Sequence, residues 1–378
     1  MRRRFRDISG EFVATVKRMD FRLLAATLAL SCASILTLIG GYENFGIKRV
    51  FMQIGATVVG IILMFFVASI DYRTVSEKAS MFIYGVSVLL LIITLIFGSS
   101  EGTENRSWLY IPGVPFGIQP SEFVKTAFLI TFSYHLHRVR DSVNRIKTLI
   151  GLLIHAGLLI VLILLSGDLG VALVYVGILA MMLFAAGINL WYFAGALVAV
   201  LAASPILWRF LRDDQKERIL VGFNPDIDPL GKGFQPIKSR SAVANGGFFG
   251  RGLFGGGVYE SFNASHTDFM FGTYCEKFGF VGALILIGLF VFMLYRVIKL
   301  ARYTRRECGV FICAGFAGMI VVQAVENIGM CLGMLPVVGI TLPFMSYGGS
   351  SVLAIYLMMG LVQSVAVHRN KLNISEFK

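Results

Sequence analysis

Ten apolar segments of about twenty residues dominate this chain of 378 residues, at 21–40, 50–70, 79–98, 119–137, 148–166, 169–187, 189–208, 269–297, 307–332 and 350–368. A helix rising about 1.5 Å per residue needs roughly 20 apolar residues to cross the hydrocarbon of a bilayer. Backbone N–H and C=O groups find no water there, so a segment of this length satisfies them internally, as a helix. The spacing predicts an all-α polytopic membrane protein with ten transmembrane helices. The fourth segment is the least apolar, because it contains Glu122 and Lys125.

Composition excludes the other classes this length would allow. Soluble domains are about 25% charged, whereas this chain is 15% charged, 56% hydrophobic and holds 32 Phe. The net charge of +12 resides in clusters beside the apolar spans, which suits membrane anchoring and not nucleic acid. The five cysteines fall in or beside apolar runs, with no metal-site spacing, and read as small packing residues. The run Leu23–Gly40 is too long for a cleaved signal peptide and reads as an uncleaved first span.

Positive charge marks cytoplasmic loops. Arg73 and Lys78, Arg138 to Lys147, Arg296 to Arg306, and Arg369 with Lys371 all fall on the side of the basic N-terminus. Both termini are therefore expected in the cytoplasm, with Lys48 and Arg49 as exceptions on a short outer loop. The expected organisation is a cytoplasmic N-terminus at 1–20, one ten-span domain at 21–368, and a cytoplasmic tail at 369–378. Two long extracytoplasmic loops, 99–118 and 209–267, are expected within the domain, the larger one between spans seven and eight.

That larger loop ends on Asp268, directly before the apolar run that opens Phe269-Met270-Phe271. An acid at the mouth of a membrane helix is costly to desolvate, so it is a candidate for function. Upstream lies Gly246-Gly-Phe-Phe-Gly-Arg-Gly-Leu-Phe-Gly-Gly-Gly257. It reads either as a flexible loop or as an interfacial element with Phe248, Phe249 and Phe254 dipping into the membrane surface. Arg218, Lys232, Lys238, Arg240 and Arg251 are candidate phosphate contacts, or else solvated bases near lipid headgroups. Glu122 and Lys125 share one helix face, either as a structural ion pair or with Lys125 holding an anion. Asp168 is placed to cap the next helix, and Glu326-Asn327 reads as a packing or pathway pair. Glu276 lies too far along its helix to share an ion with Asp268, and is expected to pair with a neighbouring helix or with Lys277. His266 has no partner histidine nearby with which to make a zinc site.

Several blocks together resemble one family. Asn327-Ile-Gly-Met330 with Leu335-Pro-Val-Val-Gly-Ile-Thr-Leu-Pro-Phe-Met-Ser-Tyr-Gly-Gly-Ser-Ser351 looks like the hallmark of the SEDS proteins (shape, elongation, division and sporulation), typified by RodA and FtsW. Arg106-Ser-Trp108, Gln119-Pro-Ser-Glu-Phe-Val-Lys125, Gly167-Asp-Leu-Gly170, Asp228-Pro-Leu-Gly231 and Thr267-Asp-Phe-Met-Phe271 follow the family order. The resemblance implies a GT-C-like fold and polymerisation of peptidoglycan strands from lipid II. It implies Asp268 as catalytic acid–base residue, with Trp108, Glu122, Lys125 and Arg106 near substrate, and Asp168, Glu276, Gln119 and Ser346 in supporting positions. The chain departs from the family at Asn105-Arg106-Ser107-Trp108 and at Glu276-Lys277.

The implied reaction joins a sugar 4-hydroxyl to the anomeric carbon of a polyprenyl-pyrophosphate-linked strand. One carboxylate suffices as base. Pyrophosphate needs no acid to leave but needs positive charge, from Lys, Arg or a divalent cation, Mg2+ or Mn2+, with Asp268 as a candidate ligand. No organic cofactor is expected. A class B penicillin-binding transpeptidase is the partner the resemblance implies, and the short tails lean toward the RodA type. The competing expectations are a lipid II flippase, in which Lys125, Glu122 and Glu326 line a pathway, and a non-catalytic scaffold for cell-wall enzymes.

Overall fold

The computed structural model describes residues 15–99, 106–110, 117–211 and 213–369. The described chain is almost entirely helical. Its long helices are α1 (Phe21–Gly40), α2 (Ile47–Ser69), α3 (Tyr72–Phe97), α4 (Pro120–Val139), α5 (Ile146–Leu165), α6 (Leu169–Ala185), α7 (Leu190–Phe210), α8 (Asp213–Phe223), α9 (Phe234–Gly246), α10 (Met270–Arg302), α11 (Glu307–Cys331) and α12 (Gly349–His368). Each of the ten apolar segments is a helix. Seven of them, α1, α2, α3, α5, α10, α11 and α12, are long and apolar enough to cross a membrane. Helices α6 and α7 carry shorter apolar stretches, and α4 is diluted by Glu122, Lys125 and its histidines.

Helices α11 and α12 form the centre. Both are mostly buried, as expected of helices enclosed by other helices. Helix α12 packs along α2, and α11 packs along α6, α10 and α4. Close approach of α2 and α12 relies on Gly60 and Gly360: a Cβ on Gly60 would lie 2.7 Å from the Tyr356 ring, and one on Gly360 2.8 Å from the Met64 carbonyl oxygen. Helix α7, by contrast, has no residue classed as buried among those described.

The polar stretch between α7 and α10 contains the two helices α8 and α9 and several 3-10 turns. Its hydropathy gives no sign of them, since neither helix is strongly apolar. Helix α9 packs on α10, and the glycine-rich hairpin that follows docks into a break in α10 at Gly279, where φ is 66°. The break frees backbone groups that the hairpin then satisfies. Phe280 and Val281 amides donate to the carbonyls of Gly247 and Phe248 (2.9 and 3.1 Å), and the amides of Arg251 and Gly252 donate to the carbonyls of Glu276 and Lys277 (2.9 and 3.1 Å).

Candidate active site

A cavity of about 1210 Å³ opens beside the start of α10, roofed by α8 and α9 and walled by the 337–351 segment. Asp268 lies on its lining, one residue before the N-cap of α10. Burial, reinforced by the charge of Asp168, pushes the Asp268 carboxyl up to about 6. Asp168 lines the same cavity as the N-cap of α6. Its Oδ1 accepts from the Val171 amide at 3.0 Å and its Oδ2 from Gln119 Nε2 at 2.8 Å. Burial raises the Asp168 carboxyl too, against the lowering effect of the Val171 amide. Asp168 therefore caps its helix and also sets the field at Asp268.

The backbone around Asp268 is gripped from one side. Asn327 Nδ2 donates to the Asp268 carbonyl at 2.6 Å and to that of Ile340 at 2.7 Å. Ser346 Oγ donates to the Thr267 carbonyl at 2.6 Å and accepts from the Leu342 amide at 2.8 Å. The Tyr347 amide donates to the His266 carbonyl at 3.0 Å. The grip is itself braced: Ser34 Oγ donates to the Met345 carbonyl (2.6 Å) and Gln53 Nε2 to that of Ser346 (3.3 Å). Phe344, directly before them, holds a left-handed φ of 62° while its ring is buried against Tyr356. A non-glycine residue in that region is uncommon and persists only where its surroundings enforce it.

Glu122 and Lys125 form a buried ion pair at 2.7 Å. They border a second, small cavity of about 10 Å³ that shares Thr341 and Ser351 with the large one. The pair thus lies one layer away from Asp268 and Asp168. Trp108 lines the large cavity, its carbonyl accepting from the Ser99 amide at 2.8 Å. Arg106 is exposed, with its amide on the Ser166 carbonyl. Lys232 is on the lining and pairs with Glu217 at 2.7 Å. Lys238 and Arg240 are not on the lining: Lys238 lies over the Phe234 ring at 5.6 Å, and Arg240 is 3.9 Å from Asp226. The side chain of Arg218 lies outside the described residues.

Glu276 reaches the neighbouring helix α9 through Asn245, and also the end of the hairpin and the turn that follows it. Its carboxylate accepts from Asn245 Nδ2 (2.7 Å) and from the amides of Gly257, Val258 and Tyr259 (2.9, 3.0 and 2.9 Å). Lys277 Nζ donates to the carbonyls of Gly40 and Leu253 and lies 4.0 Å from the Tyr259 ring centroid. His266 packs its ring against Phe45 and Tyr347.

Among the described residues no three His, Cys, Asp or Glu side chains come together as a metal cage. The cavity lining nevertheless carries four carboxylates, Asp168, Glu217, Asp228 and Asp268, against the single cation Lys232 among those described. Mg2+ characteristically takes one or two carboxylates and completes its shell with water and substrate phosphate. Asp268 and Asp168 fit that donor set.

The assembly is a multi-pass helical membrane protein with one wide, acid-lined cavity at the end of its bundle. The chain belongs to the FtsW/RodA/SpoVE family of cell cycle proteins, whose family model matches residues 17–371. It is 31% identical over 365 residues to a probable peptidoglycan glycosyltransferase FtsW of Geobacter metallireducens, covering 93% of this chain and 95% of that one. It is 32% identical over 364 residues to the peptidoglycan glycosyltransferase MrdB of Escherichia coli K12, covering 94% and 96%. A solved structure described as structural coordination of polymerization and crosslinking by a peptidoglycan synthase complex superposes with a TM-score of 0.82 at 30% identity, over 93% of this chain and 99% of that one.

Proposed function

We infer that the chain is a peptidoglycan glycosyltransferase that polymerises lipid II, with Asp268 as general base. The observation that carries the catalytic assignment is the Asp268 carboxyl, raised to about 6 on the wall of a large cavity, with its backbone fixed by Asn327, Ser346 and Tyr347. At pH 7 such a group is mostly ionised and yet more basic than an ordinary aspartate.

The acceptor 4-hydroxyl gives its proton to Asp268 as its oxygen bonds to the anomeric carbon of the lipid-linked strand. The bond from that carbon to pyrophosphate breaks, and its electron pair leaves on the phosphate oxygen. Attack from the face opposite an α-linked pyrophosphate yields a β-1,4 linkage with inversion. Asp268 then returns its proton to water. Asp268 and Asp168 would hold a divalent cation, Mg2+ or Mn2+, which supplies positive charge for the departing pyrophosphate. Lys232 adds a further positive charge on the wall, and Trp108 offers a flat apolar surface to a sugar.

Ten membrane spans support this chemistry, with α4, α6 and α7 joining the seven most apolar helices. The positive-charge pattern favours both termini in the cytoplasm of a bacterial cell. In that orientation the cavity opens on the outer face, where lipid-linked sugars stand. The likeness to a chain solved in a peptidoglycan synthase complex supports a class B penicillin-binding transpeptidase as partner.

The test is polymerisation of purified lipid II by the purified chain in detergent, with and without the transpeptidase. Glycan product there, lost with Asp268→Asn and with a chelator, is expected. A flippase or a scaffold makes no polymer in detergent. Full polymerisation by the Asn variant removes Asp268 as base, and full activity after chelation removes the cation.

A further inference from the structure

We propose that the hairpin 246–257 is a membrane-embedded anchor whose aromatic rings sit in the outer interface of the bilayer and fix the depth of the cavity against its lipid-borne substrates. The proposal rests on α10 crossing the membrane and stands apart from the catalytic assignment.

Three observations converge on it. First, the hairpin replaces the hydrogen bonds that α10 loses at Gly279. Four backbone bonds join 247–252 to 276–281, so non-helical backbone at this level of the helix has its polar groups satisfied by protein. Apolar surroundings require that compensation, whereas water would supply it without the hairpin.

Second, α10 carries an exposed apolar stripe, Phe280, Leu284, Ile287, Val291, Tyr295 and Ile298, spaced by three or four residues as one helix face. On a membrane-crossing helix this is the lipid-facing side. The hairpin extends it: Phe248 packs on Phe280 at 5.9 Å between ring centroids and on Phe249 at 4.8 Å. Phe248, Phe249 and Phe254 are 60%, 78% and 68% exposed, an expensive display in water.

Third, the depth agrees. Lys299, near the basic end of α10, is nineteen residues beyond Phe280. At about 1.5 Å per residue the two are roughly 29 Å apart, close to the ~30 Å thickness of the hydrocarbon. With Lys299 at the opposite headgroups, Phe280 and the rings stacked on it lie at the outer edge of the acyl chains, the depth at which interfacial segments bury Trp, Phe and Leu. Arg251 lies in the same turn, exposed, with its Nε and Nη2 fixed on Asn245.

The hairpin directly follows α9, whose Gln235 and Pro236 line the large cavity. An anchor at this point sets the height of the roof above the bilayer, and with it the reach of a membrane-tethered sugar toward Asp268.

The experiment reconstitutes the full chain in lipid nanodiscs containing phosphatidylcholine with a diazirine near the glycerol end or near the methyl end of one acyl chain. After photolysis, adducts are mapped by peptide mass spectrometry. The glycerol-end probe is expected to label 248–254, while the methyl-end probe labels α10 near Val291 and largely spares the hairpin. Phe249→Ser and Phe254→Ser, at exposed positions that do not support the core, should each lower hairpin labelling and leave labelling near Val291 unchanged. Labelling of α10 with none on 248–254 overturns the proposal, as does equal labelling of the hairpin by both probes.

Discussion

Asn327 binds two backbone carbonyls through one nitrogen, that of Asp268 at 2.6 Å and that of Ile340 at 2.7 Å. The bond crosses 59 residues of sequence and joins the late part of α11 to the residue that opens into the cavity. Asn327→Leu leaves both acceptors without this donor, at about 1–3 kcal/mol for each buried group. A displacement of about 1 Å at a reacting group can cost ~10²-fold in rate. The expected outcome is a folded, somewhat less stable enzyme whose kcat falls far more than its lipid II KM rises. A change confined to KM would argue against the positioning role.

Asp268→Asn separates chemistry from stability. Loss of the base is expected to reduce polymerisation by about 10²–10⁴-fold. The same substitution removes a carboxylate that burial disfavours. Thermal unfolding in detergent at pH 7 should therefore occur at the same temperature or higher. A lower unfolding temperature would show that the charge is favourable where it sits, contrary to a raised pKa.

The pH dependence follows from the same carboxyl. The value of about 6 belongs to the cation-free chain. A divalent cation on Asp268 and Asp168 favours the ionised carboxylate. With saturating cation the acid limb of kcat should therefore lie below pH 6, and it should move up toward 6 as the cation is lowered. Asp168 contributes to the rise by repulsion. Asp168→Asn keeps an oxygen to accept from Val171 and removes the charge, so at low cation the limb should move to lower pH, while the cation concentration needed for half activity should rise. An unshifted limb would mean that the two side chains do not sense each other in the working enzyme.

The framework was readable from sequence because apolar runs about one bilayer long leave helix as the natural solution. Asp268 was readable for a related reason: a charge at the edge of such a run stands out. What was hidden is chiefly what depends on backbone groups. Asn327 and Ser346 drew notice, but their targets did not: with the Tyr347 amide they act on carbonyls of 266–268, and no side-chain pattern encodes an acceptor that every residue carries. Glu276 likewise meets, besides Asn245 of α9, three backbone amides, those of Gly257, Val258 and Tyr259. Helices α8 and α9 escaped because they lack a strong apolar stripe. Lys238 and Arg240 drew notice as bases near glycines, yet the turn of α9 places Gln235 and Pro236 on the cavity in their stead.

Lys125 and Glu122 admit a decisive pair of variants. Removing one member of a buried ion pair strands the other, a cost of about 3–5 kcal/mol, whereas replacing both with neutral groups is often tolerated. Lys125→Met should destabilise strongly. Glu122→Gln combined with Lys125→Met should recover most of the folding, measured by thermal unfolding and elution as a single species. If the double variant also polymerises lipid II, the pair is a structural strut. If it folds and is inactive, the charge of Lys125 or Glu122 acts on the substrate through the wall formed by Thr341 and Ser351.

Two glycines of α10 give the last prediction, with an internal control. Gly279 has φ 66°, and a Cβ there would lie 2.3 Å from the Gly250 nitrogen and 2.6 Å from the Phe248 carbonyl oxygen. Gly279→Ala would hold φ 66° with ψ −165°, a conformation essentially confined to glycine, at roughly 1–3 kcal/mol, and would clash with the docked hairpin, which is relieved if the hairpin lets go of α10. Gly288 lies in regular helix with nothing within 4 Å of its would-be Cβ. Gly288→Ala should be neutral or stabilising by up to about 1 kcal/mol, since alanine is the better helix former. The expected contrast is a lower unfolding temperature and faster proteolysis within 246–257 for Gly279→Ala alone. Equal behaviour of the two variants would mean that the break in α10 does not hold the hairpin, and the four backbone bonds across it would lose their assigned role.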